Sequence, residues 1–80
     1  MLHVQNEVLE SIRSTLAVLT DVDPAQVIPD ARWEDLGGDR FDFFGVLGDL
    51  QERYGIDIPD DDAFEMEKVS DLIKFVEAAR

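Results

Sequence analysis

The stretch Leu36-Gly37-Gly38-Asp39-Arg40-Phe41-Asp42 gathers the residues of this chain best suited to act on a partner. Two glycines allow a tight, exposed backbone approach, and Asp39 can offer its carboxylate to the first amides of a following helix. Arg40 then places a guanidinium in the first turn. That group stays protonated at any working pH and has no hydroxyl, so it can pair with an acid or a phosphate but cannot serve as a nucleophile. A cation at a helix start opposes the dipole by about 0.3–1 kcal/mol, which Asp39 and Asp42 can offset. Other candidate clusters fail on spacing. Asp57 with Asp60-Asp61-Asp62 invites a calcium loop, but the central glycine and the glutamate at the twelfth place are replaced by Asp62 and Lys68. His3 has no partner for metal or nucleophilic chemistry, and no Gly-rich phosphate loop, Ser/His/Asp set or paired-carboxylate pocket is recognisable. Neither an enzyme nor a metal site is expected.

The elements that must position this stretch are helical. Val4, Val8, Leu9, Ile12, Leu16 and Leu19 step by three and four, which predicts a first amphipathic helix ending near Thr20. Pro24 suits the first position of a short helical turn within Val22–Val27. A loop of about ten residues runs from Ile28 to Gly38, long enough in a small domain to require function or anchoring. Val27, Ile28, Trp33 and Leu36 are the candidate anchors, with Trp33 expected as a lid on the helix ends rather than a ligand platform. Asp39 is expected to cap the second helix, whose buried stripe is Phe43, Val46/Leu47, Leu50 and Tyr54, with Gly55 as its stop. A short third helix or turn starts after Pro59 and runs through Met66. Ser70 is expected to cap the last helix, with Leu72, Ile73, Val76 and Ala79 facing inward. Strand-type alternation is absent, so the expected fold is all-α, with three principal helices and one short one.

Eighty residues fit one domain, 1–80, with a core of marginal size. No cysteine is present, which excludes disulfides and thiolate metal sites. No apolar run approaches the ~20 residues needed to span a bilayer, so a soluble cytoplasmic protein is expected. Of the net charge of −12, residues 30–62 carry −8, as eleven acids against Arg32, Arg40 and Arg53. Such a field repels nucleic acid and anionic membranes and favours encounter with basic protein surfaces. The plainer alternative is that the acids confer only solubility.

Several segments, in order, resemble the acyl carrier protein family, the domains that bear a phosphopantetheine attachment site. Ile28-Pro29-Asp30-Ala31-Arg32-Trp33-Glu34-Asp35-Leu36-Gly37 resembles the loop before the attachment site. Leu50 to Asp60, containing Tyr54-Gly55-Ile56-Asp57-Ile58-Pro59-Asp60, resembles the second helix and the turn after it, and Val69 to Val76 the opening of the last helix. The resemblance implies an acyl-carrier-protein-like four-helix bundle. In the family a serine follows the aspartate and is esterified by 4'-phosphopantetheine; here Arg40 stands there. Ser11, Ser14, Thr15, Thr20 and Ser70 do not match the motif, so no prosthetic group is expected although the family implies one. The family also has leucine where Phe41 stands and an acidic recognition residue near Gly45. Phe41 and Phe44 cannot both share the face of Phe43 at 3.6 residues per turn, so at least one is expected to be partly exposed beside the acids. Gly45 and Gly48 each cost about 0.8–1 kcal/mol in a helix, which suggests a close approach by another backbone or relaxed demands on this helix.

These observations favour an acidic protein-interaction module associated with fatty-acid, polyketide or peptide biosynthesis. It is expected to act as a monomer that docks the basic surface of an enzyme through Asp39, Phe41, Asp42, Phe44, Asp49 and Glu52. Two alternatives stand beside it. One is a working acyl carrier, modified elsewhere or with its serine substituted in this chain. The other is an unrelated small acidic adaptor or inhibitor.

Overall fold

A computed structural model describes the backbone of residues 2–36 and 40–79 and the side chains of residues 7–36 and 42–79. The three-and-four apolar spacing produces α1 over Leu2–Leu19, which buries Val8, Ile12 and Leu16. Leu19, the last apolar step, is instead 44% exposed. A 3-10 turn at Pro24–Gln26 follows, with Pro24 at its first position and the Asp23 carboxylate accepting the Ala25 amide at 2.9 Å. Proline suits that place because its missing N–H would have no helical partner there.

Helix α2 spans Arg40–Tyr54 and seats Val46, Leu47 and Leu50 in the core, with Phe43 and Tyr54 packed at its edge. It ends at Gly55, whose φ of 65° is the left-handed conformation that only glycine adopts cheaply. Gln51 secures the turn beyond: its side-chain oxygen accepts the Ile58 amide at 3.1 Å, and its amide donates to the Leu47 carbonyl at 3.2 Å. Ile58 is thereby held in the core ahead of the short α3, Asp60–Phe64. The expected short helix or turn through Met66 is a helix to Phe64 followed by turns in which the Glu65 and Met66 amides donate to the Asp62 and Ala63 carbonyls at 3.2 and 3.1 Å. Helix α4, Val69–Ala79, buries Val69, Leu72, Ile73 and Val76. Ala79 is exposed in the last turn rather than inward-facing. Helix α1 packs against both α2 and α4. The described residues therefore form an all-α bundle of three principal helices and one short one, without a strand.

The long loop is fastened to the α3–α4 junction by main-chain hydrogen bonds. Val69 and Ser70 donate to the carbonyls of Ala31 and Pro29 at 2.9 Å each, and Trp33 donates to the Glu67 carbonyl at 3.1 Å. Arg32 and Lys68 form an isolated antiparallel bridge. On the other side Arg13 Nε donates to the Val27 carbonyl at 3.0 Å. Val27 and Leu36 are buried as expected, but Ile28 is 45% exposed. Because the clip supplies the constraint through backbone groups, the loop holds its course without that side chain.

Ser70 is not the cap of α4. It lies within the helix, and its amide is given to the loop. The Asp71 carboxylate reaches back to accept the amides of Glu67 and Lys68 at 2.9 Å each. This is the half of a capping box in which a first-turn side chain satisfies the amides that precede the helix.

Candidate functional site

Beside the start of α2, four separate segments meet around a groove of about 460 Å³. The loop contributes Arg32 and a 3-10 turn, Trp33–Leu36; α1 contributes Leu16; α2 contributes its first described side chains; α3 and the turn after it contribute the rest. A row of four rings runs through it. Trp33 lies 4.7 Å from Phe43 between centroids, Phe43 lies 5.9 Å from Phe44, and Phe44 meets Phe64 edge-on at 5.9 Å. Tilted and edge-on pairs of this kind contribute about 0.5–1.5 kcal/mol each beyond the area they bury. Leu16, Leu36, Ala63 and Met66 complete the apolar lining. Among the described residues, Glu34, Asp42 and Glu67 supply negative charge to the lining and Arg32 positive charge. Arg32 pairs with Glu34 at 3.1 Å where both are well exposed.

Two ring features stand out in the groove. Phe64, at the end of α3, is 58% exposed although it stacks on Phe44. The Trp33 indole nitrogen is buried and finds no hydrogen-bond partner among the described residues. Trp33 is half-buried against the core edge and also forms groove wall, so it serves as more than the expected lid.

The expected partner-binding residues separate into groups. Asp42 and Phe44 come together on the groove, and Phe44 is packed between Phe43 and Phe64 rather than projecting alone. Asp49 does not line it: its carboxylate accepts from the Thr15 hydroxyl at 2.8 Å and pairs with Arg53 at 3.3 Å. Glu52 is exposed elsewhere on α2. Asp39 and the side chains of Arg40 and Phe41 lie outside the described residues, including the expected Asp39 cap. Phe64, Met66, Glu34 and Glu67 were not anticipated as site residues. The available signal was the pair Ala63-Phe64, since two consecutive apolar residues on so short a helix cannot both face the core.

An acidic helical bundle whose long, fastened loop runs toward the second helix beside an apolar groove is the class of a small carrier-type domain. The chain matches the family described as phosphopantetheine attachment site over residues 10–76. It is 36% identical over 73 residues to an acyl carrier protein of Thermosynechococcus vestitus, covering 90% of each chain. It is 38% identical over 69 residues to one of Helicobacter pylori strain G27, covering 85% of this chain and 88% of that one. For one of Solidesulfovibrio magneticus the figures are 37% over 71 residues, with 88% and 91% covered. The chain belongs to the phosphopantetheine attachment site family.

Attachment of that group requires a nucleophilic hydroxyl, and the described hydroxyls are placed elsewhere. Ser11 is buried and donates to the Glu7 carbonyl, Thr15 is engaged with Asp49, and Thr20 donates to the Leu16 carbonyl. Ser14 lies inside α1 and Ser70 inside α4. Between Thr20 and Ser70 the sequence has no serine or threonine, and α2 opens on Arg40.

Proposed function

We propose that residues 1–80 form one monomeric carrier-type domain that works without a prosthetic arm, as an acidic interaction module for an enzyme of acyl or peptide assembly. The observation that carries this reading is Arg40, the residue after Gly37-Gly38-Asp39, where the family resemblance places the esterified serine. A guanidinium cannot form the phosphodiester. The acidic middle of the chain, with Asp39, Asp42 and Glu52 on or beside α2, supplies a field complementary to a basic partner surface. Asp49 contributes less to it, because Arg53 and Thr15 already engage its carboxylate. Phe44, beside Asp42 on the groove, adds apolar contact, and Phe41 precedes Asp42 in the sequence. The domain itself performs no reaction, and its setting is the cytoplasm.

A second reading, a working acyl carrier, is favoured by the family match itself. Intact mass after incubation with coenzyme A and a broad-specificity phosphopantetheinyl transferase separates the two. An unchanged mass is the expected result for the native chain, and gain of one phosphopantetheine would overturn the arm-free reading. The variant Arg40→Ser should gain the group, which would show that the surrounding surface still serves the transferase.

A further inference from the structure

We propose that Met66 is a reversible oxidation site. A peroxide converts its thioether to the sulfoxide, and the buried indole N–H of Trp33 donates to the new oxygen, so the oxidised domain stays folded with one wall of the groove turned polar. The proposal goes beyond the arm-free reading and holds whether or not the domain carries an arm. Met66 and Met1 are the two methionines, and no cysteine competes for an oxidant. Met66 is half-buried against the core and lines the groove of about 460 Å³. A water's share of liquid volume is about 30 Å³, so a small peroxide has room beside this side chain. The backbone there is fixed on both sides. The Met66 amide donates to the Ala63 carbonyl at 3.1 Å, and the next amide, that of Glu67, donates to the Asp71 carboxylate at 2.9 Å.

The neighbour singles this methionine out. The Trp33 amide donates to the Glu67 carbonyl at 3.1 Å, which sets residue 33 beside the strip that carries Met66, and both side chains line the same groove. The Trp33 indole nitrogen is buried without a hydrogen-bond acceptor among the described residues. An indole N–H can only donate, and a thioether sulfur accepts weakly, whereas oxidation to the sulfoxide makes the side chain polar. In the reaction a sulfur lone pair attacks one peroxide oxygen and the O–O bond breaks. The departing hydroxide takes the proton from the transferred oxygen and leaves as water; sulfur loses two electrons and the peroxide gains them. A new oxygen in an apolar wall normally disrupts packing because it finds no donor. Here the orphaned indole proton offsets that cost. A thiol-dependent methionine sulfoxide reductase reverses the step, with two thiols oxidised to a disulfide and the oxygen released as water.

The test treats the folded, full chain with dilute hydrogen peroxide, locates the added oxygen by peptide mass, and follows the indole proton of Trp33, the single tryptophan, by NMR. One oxygen on Met66 with an unchanged far-ultraviolet circular dichroism spectrum is expected. The indole proton should move downfield and exchange with solvent about fivefold more slowly, the factor that one ordinary hydrogen bond supplies. Methionine sulfoxide reductase should restore the original resonance. In Met66→Leu the peroxide should leave that resonance in place, which assigns the shift to residue 66 rather than to Met1. Trp33→Phe keeps a ring and loses the N–H, so oxidation should lower its folding equilibrium constant about fivefold more than that of the native chain. The indole resonance decides the matter on the native chain even where Trp33→Phe fails to fold. Oxidation of Met66 only in denaturant, an unmoved indole proton, a shift that persists in Met66→Leu, equal losses with and without the N–H, or a sulfoxide that the reductase cannot remove would each overturn the proposal.

Discussion

A carboxylate that accepts two backbone amides is held in its charged form, and Asp71 accepts those of Glu67 and Lys68. The bond from Lys68, then that from Glu67, holds its carboxyl below the ordinary value of 3.8; the charges of Lys74 and Lys68 add to this, and burial opposes it. Stability from a depressed carboxyl is fully present above the unfolded-state value and is lost as pH falls through the lower folded value. Asp71→Ala should therefore cost about 1 kcal/mol at neutral pH, the loss of two exposed-side amide partners. That difference from the native chain should shrink as thermal melts are taken below about pH 4. A constant difference across that range would assign the effect to packing instead. Ser70 looked like the cap because serine favours that place, but its amide is engaged with the loop, a long-range bond that local propensity cannot reveal.

At the scale of elements, α2 is less helix-favouring than its neighbours because it carries Gly45 and Gly48. A methyl group at Gly48 would meet nothing within 4 Å, whereas one at Gly45 would come within 2.7 Å of Leu19 Cδ1. The close approach thus exists at one of the two glycines, and it comes from a side chain rather than a backbone. Gly48→Ala should stabilise by about 0.8–1 kcal/mol in denaturant unfolding. Gly45→Ala should gain less, since the partly exposed Leu19 must swing aside. Equal gains would mean that Leu19 moves without cost. The helices themselves were readable in the sequence because each has a periodic apolar stripe and a recognisable stop, as at Gly55. The groove was not, because Trp33, Phe43 and Phe64 come from three elements and no periodicity within one segment links them. Asp42 and Phe44 were legible as site residues through their position after Gly-Gly-Asp; Phe64 was hidden in an acidic stretch that reads as solvated surface.

Over the whole molecule, charge works against compactness. The ion pairs Arg13–Glu10, Arg32–Glu34 and Arg53–Asp49 are all at least partly exposed and join residues close in sequence, so screening them forfeits little. The net −12 repels itself throughout the fold. Moderate sodium chloride should therefore raise the melting temperature measured by circular dichroism, and a fall would show that local pairs outweigh the general repulsion. The same salt should weaken a basic partner, so stability and binding are expected to respond in opposite directions.

The clip that joins residues 29–33 to 67–70 also sets how the domain breathes. Trp33, Val69 and Ser70 each donate across it, so none of these protons can be released to solvent without parting the same two strips of chain. Deuterium uptake at the three positions should follow one shared rate, as expected of a cooperative opening unit. A ligand seated against Phe64 would slow all three, and the segment leading toward Arg40 would register the event without touching it.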